Sequence, residues 1–225
     1  MSEEDRPTAE QLAPALGLLA HDLRNPASAI LANLNFLESV RDMLPPDERD
    51  ALADAVVATR ELITGIEHLG WLARAIRSEP IVALADADVC QAVRTFAART
   101  PRVRVQLPDQ PLRARAGNGL VRVLELLASN ASQHAPGKPV HVRAERVGAD
   151  VVVTFLDDAS PIAEALRAEA FTVPGQMNLK GRADGRYGRM LGLAAVGVLV
   201  HAMKATIVAR DEEGIAAFVI TLASA

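Results

Sequence analysis

The chain opens with a short polar stretch, residues 1–8, and then settles into a helical rhythm. Leu12, Leu16, Leu19, Leu23, Ile30, Leu34 and Leu37 recur at steps of four and three, interrupted only around Pro26. That is an apolar stripe of heptad type. Pro45-Pro46 ends it, and Asp47 is a suitable N-cap for the helix that follows. Leu52, Val56, Ile63, Ile66, Leu69 and Ile76 carry a similar stripe. Two long helices joined by a short loop predict an antiparallel hairpin over residues 9–78. One hairpin buries two such stripes poorly. The pattern therefore predicts a homodimer through residues 9–78, two hairpins making a four-helix bundle. Packing of the stripes on the rest of the same chain is the alternative.

The pattern changes at Ser78-Glu79-Pro80, where short alternating runs begin to intersperse with helices. Residues 103–107, 140–144, 150–155, 205–209 and 216–222 read as strands. Residues 88–98, 119–134 and 191–203 read as helices. This predicts an α+β sandwich over residues 79–225, with helices on one face of a mixed sheet. Residues 172–188 carry four glycines, several basic residues and little apolar periodicity. They read as a long mobile loop, and such loops inside compact domains are usually functional.

Composition narrows the function. Of 225 residues half are apolar and 3% aromatic, so a packed, largely aliphatic core is expected. The net charge of −4 argues against a nucleic-acid partner, which selects for a basic surface. A single cysteine, Cys90, excludes a disulfide framework and a cysteine-cluster zinc site. The longest apolar stretch, around residues 191–203, is interrupted by His201 and falls short of the ~20 residues that span a bilayer. The acidic N-terminus lacks the basic and apolar regions of a secretory signal. The expectation is a cytoplasmic protein with no membrane partner.

The chemistry concentrates in two places. In Leu18-Leu-Ala-His-Asp-Leu-Arg-Asn-Pro26, helical projection sets His21 roughly 170° from the mean of the leucine stripe, which faces it toward solvent. Asn25 follows one turn later on the same side, and Asp22 lies beside the imidazole. A carboxylate that keeps one ring nitrogen protonated leaves a lone pair on the other, which makes a workable nucleophile. Pro26 removes a backbone donor just past the site. His68, His141 and His201 share no ligand spacing and read as structural or surface residues.

The string His-Asp-x-x-Asn-Pro on a heptad helix resembles the H-box of two-component histidine kinases. The resemblance implies a dimerising helical hairpin followed by an ATP-binding domain of GHKL (Bergerat) type. It implies that His21 is phosphorylated, that Asp22 acts as base, and that Asn25 positions water for dephosphorylating a response-regulator receiver domain, the implied partner.

The later boxes of that family are partly present. Leu124-Glu-Leu-Leu-Ala-Ser-Asn-Ala-Ser-Gln-His134 resembles the N-box, with Glu125, Asn130 and His134 in register; Asn130 matches the Mg²⁺ ligand. Gln133 stands where the family usually has Lys. After the strand at 150–155, Asp157 matches the residue that receives the adenine amino group. The two glycines that normally follow it are Ala159 and Pro161, which lose the backbone freedom of glycine. In Gly188-Arg-Met-Leu-Gly-Leu193, Gly188 and Gly192 match the last glycine-rich box, whereas Met190 replaces its middle glycine. Lys180, Arg182, Arg186 and Arg189 surround this segment and suit phosphates or an acidic partner.

These departures make the sequence resemble the dimeric histidine phosphotransferases that keep the kinase fold with a degenerate nucleotide site. On that reading His21 exchanges phosphate with receiver aspartates, and binding of ATP and Mg²⁺ is weakened or lost. An active soluble ATP-dependent histidine kinase is the alternative, and a non-catalytic dimeric pseudokinase scaffold is the second.

Overall fold

A computed structural model describes residues 8–182 and 188–225. The chain divides into two compact units, one ending at Glu79 and the other spanning Pro80–Ala225.

The first unit is a hairpin of two helices, α1 (Ala9–Ser39) and α2 (Pro46–Ile76), packed along their length. A capping box starts α1. The Gln11 N–H donates to the Thr8 hydroxyl at 3.3 Å, and the Thr8 N–H donates to Gln11 Oε1 at 2.8 Å. Both Pro14 and Pro26 lie inside α1, and the helix continues through them. Each leaves one carbonyl of the preceding turn without its helical donor. At the other end Pro46 is itself the first residue of α2. Asp47 therefore lies in the first turn, where its charge favours the helix dipole, rather than at the N-cap.

The face that α1 turns to α2 differs from the leucine stripe. Its buried residues are Ala13, Ala20 and Ala27, one heptad apart. Ala20 and Ala27 pack with Ile66, flanked by Ile63 and Leu69. Small side chains let the two helices approach closely. Leu12, Leu19, Leu23, Ile30 and Leu37 are left exposed on a single copy.

The second unit is a layered α/β sandwich. In chain order it comprises β1 (Asp86–Asp88), α3 (Val89–Arg99), β2 (Val103–Gln106), β3 (Arg113–Arg115), α4 (Gly119–His134), β4 (Val140–Val147), β5 (Asp150–Asp157), α5 (Glu164–Arg167), α6 (Val173–Leu179), α7 (Gly192–Ala202), β6 (Thr206–Glu212) and β7 (Ile215–Ala223). The main sheet has the order β2-β4-β5-β7-β6; β2 pairs parallel to β4 and the other pairings are antiparallel. The small strands β1 and β3 form a separate antiparallel pair.

Alternation decides which face of the sheet is covered. Val151, Val153 and Phe155 of β5 and Phe218, Ile220 and Leu222 of β7 are almost fully buried. Phe155 lies 6.4 Å from Phe96 of α3 and 6.5 Å from Phe218, centroid to centroid, so an aromatic chain links helix layer to sheet. Helices α4 and α7 pack on each other in that layer, and Leu120, Val123 and Leu127 of α4 and Leu193, Val196 and Val200 of α7 are buried.

The segment expected to be a loop, residues 172–188, contains α6. Thr172 caps it, its hydroxyl accepting from the Gly175 N–H at 3.1 Å, and Pro174 sits in its first turn. These are local helix-start signals that a search for apolar periodicity passes over. Residues 183–187, Arg186 among them, lie outside the described residues. Among the described residues no helix is long and apolar enough to cross a membrane.

Candidate functional site

The first site lies on α1. The leucine and alanine rows fix the helix's rotation, and that rotation points residue 21 outward. The His21 side chain is 72% exposed and that of Asp22 62%. His21 Nδ1 lies 3.2 Å from Asp22 Oδ1. With the proton on Nδ1, that N–H donates to the carboxylate and Nε2 presents its lone pair to solvent. Asn25 is exposed one turn along, immediately before Pro26. Beside His21 runs a groove of about 460 Å³ between α1 and α2, lined by Gly17, Arg24, Glu67, Trp71 and Arg74 among others. Arg24 Nη2 lies 3.4 Å from Glu67 Oε1 across it. The hairpin thus presents one solvent-facing imidazole, one adjacent carboxylate and one exposed amide.

The remaining candidate residues fall in the second unit. Asn130 lies on the buried face of α4 and Asp157 ends β5; they are 3% and 1% exposed. Asp157 Oδ1 accepts from the Ala159 N–H at 2.9 Å, an Asx turn that shapes the chain after β5. Glu125 is half-buried on α4. It takes an ion pair from Arg122 at 3.2 Å and lies 3.9 Å from Arg99. His134 is the exposed last residue of α4. Gly188 is buried and Gly192 opens α7. A Cβ on Gly188 would come within 2.7 Å of the Leu193 backbone nitrogen, so only glycine fits there.

Between these glycines the backbone is strained. Met190 (φ 53°, ψ 36°) and Leu191 (φ 58°, ψ 29°) are both left-handed. Each such non-glycine residue costs about 1–2 kcal/mol. Met190 is exposed at this turn. Sequence inspection found Met190 through its missing glycine but gave no sign of Leu191, because nothing in a leucine codes for positive φ.

Sequence reasoning missed Gln176 altogether and marked Gln133 only as the replacement for the family's Lys. Gln176 of α6 is fully buried; its Nε2 donates to the Ala170 carbonyl at 2.7 Å, and its Oε1 accepts from the Gly188 N–H at 2.8 Å. The Oε1 of Gln133 accepts from the Arg189 N–H at 3.4 Å. The end of α4 is thereby tied to the turn before α7.

Residues 116–224 match the model of the family described as histidine kinase-, DNA gyrase B-, and HSP90-like ATPase. Sensor histidine kinase YcbM of Bacillus subtilis is 27% identical over 176 residues, 73% of this chain and 56% of that protein. The probable sensor histidine kinase TcrY of Mycobacterium tuberculosis is 27% identical over 218 residues, 90% of this chain and 44% of that one. The chain is thus similar to two-component sensor histidine kinases, and its second unit to the ATPase domain family that they share. It spans little more than half the length of YcbM and less than half that of TcrY. Among solved structures, full-length ShkA in complex with AMPPNP superposes with a TM-score of 0.66 at 23% identity, covering 94% of this chain and 46% of that one. Acinetobacter baumannii histidine kinase AdeS gives 0.58 at 20% identity over 91% and 98%. These superpositions establish the fold: a histidine kinase hairpin followed by a GHKL-type sandwich.

The ATPase-family match runs straight through Asn130, Asp157, Ala159, Pro161, Gly188, Met190 and Gly192. The altered glycine positions thus do not abolish the likeness to that ATPase family. The expectation of a degenerate nucleotide site draws no support from these relatives, whose names are those of sensor kinases.

Proposed function

We propose that this chain is an ATP-dependent histidine kinase of two-component signalling, with His21 as its phosphoacceptor and a response-regulator receiver domain as its partner. The observation that carries the proposal is the solvent-facing imidazole held by Asp22 at 3.2 Å. In this reading Nε2 is the nucleophile. As Nε2 bonds to the γ-phosphorus, the bond from that phosphorus to the bridging oxygen breaks and ADP leaves with the electron pair; the ring gains positive charge, and the adjacent carboxylate stabilises that charge and accepts the Nδ1 proton. Asn25 orients a water for the reverse task, hydrolysis of the receiver's aspartyl phosphate.

The residues of the second unit suit a magnesium nucleotide. Asn130 offers an amide oxygen, a donor type matched to a hard cation. The buried Asp157 offers a carboxylate to an adenine amino group, and Gly188 and Gly192 leave the backbone bare of side chains at the two ends of the turn before α7. Glu125 and His134 flank Asn130 on α4. When bound, ATP supplies an already activated phosphoryl group. Two copies of the hairpin covering each other's exposed leucines would form the working dimer.

One observation favours a second reading. Met190 occupies, in the left-handed region, a position where the resembled family has glycine, and Ala159 and Pro161 replace two more glycines. A phosphotransferase that loads His21 from a phosphorylated receiver needs no nucleotide. Labelled phosphate supplied from ATP·Mg²⁺ and from a phosphorylated receiver, side by side, separates the readings. Label from ATP on the wild-type chain and none on His21→Ala is the expected result. Label from the receiver alone would establish the phosphotransferase. Label from neither source would overturn both and leave a scaffold.

A further inference from the structure

The turn that opens α7 is held from outside by a side chain with no part in the chemistry above. Gln176 is 0% exposed, and both ends of its amide are used, on the Ala170 carbonyl and the Gly188 N–H. It therefore bridges Ala170, before α6, to Gly188, before α7, eighteen residues along the chain. Around that bond the packing leaves no slack. Gly175, the neighbour of Gln176, has its Cα against the Glu169 carbonyl, where a Cβ would lie 1.8 Å away. Gly188 has its Cα against Leu193 N, and a Cβ there would also come within 3.3 Å of Gln176 Oε1. On the exposed side Gln133 holds the next N–H, that of Arg189, more loosely at 3.4 Å.

A buried amide with both ends satisfied is a rigid strut, because breaking either bond strands a polar group away from water. What the strut holds is unfavourable by itself. Met190 and Leu191 follow directly in left-handed conformations that the chain adopts only when its surroundings impose them.

We propose that Gln176 is a positioning residue for the nucleotide site. Its buried amide fixes the Gly188 end of the turn before α7 and so keeps the strained Met190-Leu191 backbone in its binding shape. The inference rests on the kinase reading and extends it to a residue outside the recognised boxes. Gln176 touches no substrate. It acts through the backbone of Gly188, so its loss weakens nucleotide binding while the transfer step at His21 keeps its intrinsic rate.

The test compares wild type, Gln176→Met, which keeps size and loses both bonds, and Gln176→Glu, which keeps the acceptor for Gly188. Two quantities are read on the full chain: the apparent KM for ATP in His21 phosphorylation, and hydrogen exchange of the Gly188 amide without nucleotide. Gln176→Met should raise KM by about tenfold, the equivalent of one lost buried hydrogen bond, with kcat within about twofold, and its Gly188 amide should exchange faster. Gln176→Glu should recover most of both losses. A KM unchanged in Gln176→Met overturns the proposal, as does a fall in kcat alone, which is the signature of a smaller folded fraction. If Gln176→Met does not fold, Gln176→Glu decides. The proposal stands if the Gly188 amide stays protected and KM stays near wild type, and falls if either is lost. Failure of the kinase reading looks different, since the wild-type chain then takes no phosphate from ATP at all. In that case the proposed role falls with it, and Gly188 exchange reports only whether the strut exists.

Discussion

The exposed leucine row of α1 makes a quantitative prediction about assembly. Leu12, Leu19, Leu23, Ile30 and Leu37 are 41–49% exposed on one copy. Fully burying such a side chain contributes about 1.5–3 kcal/mol, so covering the exposed half contributes about 1 kcal/mol each. Ten of them in a twofold pair give roughly 10 kcal/mol before the association penalty of about 4–15 kcal/mol. Val57 and Leu62 of α2, also exposed, add to the favourable side. The double substitution Leu19→Lys, Ile30→Lys removes four such contributions per dimer. That is about 4 kcal/mol, which weakens association by about a thousandfold. Both residues are about half exposed, to one side of the Ala13, Ala20, Ala27 seam, so the hairpin itself should keep its helix content by circular dichroism. Sedimentation velocity over a concentration series is the assay. Wild type should run as a dimer at concentrations where the double variant is a monomer. A wild-type chain that stays monomeric throughout, or a variant that associates as tightly, would refute the idea that this row is covered by a second copy.

Other outcomes follow from single positions. Asn25→Ala should slow dephosphorylation of the receiver by ten-fold or more while sparing phosphorylation of His21, on the order expected for losing a water-orienting group; parallel loss of both rates in the transfer assay would show that the role is misassigned. Met190→Gly combined with Ala159→Gly and Pro161→Gly should tighten nucleotide binding measured by calorimetry, since glycine at 190 relieves about 1 kcal/mol of left-handed strain; an unchanged affinity would acquit those positions. Gly197→Ala should destabilise the second unit by about 2 kcal/mol or more, seen as a lower melting temperature. Its new Cβ would stand 2.1 Å from the Phe171 carbonyl oxygen, a backbone atom that has no easy way to yield.

Local information carried much of this molecule. Heptad spacing marked both long helices. Alternation and short apolar runs found the five strands of the main sheet, most plainly in β4, where Val140, Val142 and Ala144 are buried and the residues between them are not. The exposure of His21, Asp22 and Asn25 was legible because the spacing sets an imidazole, a carboxylate and an amide off the apolar stripe of a helix. What the pattern left undecided was pairing. The leucine row is apolar enough to seek burial, but periodicity does not say against what. In the hairpin α2 meets the alanine row, since helices linked by so short a loop pack closest where side chains are smallest. The positive φ of Leu191, the capture of Gly188 by Gln176 and the grip of Gln133 on Arg189 are decided only in three dimensions. Each joins residues distant along the chain, and no residue type announces a hydrogen bond to a backbone that folding has yet to bring near.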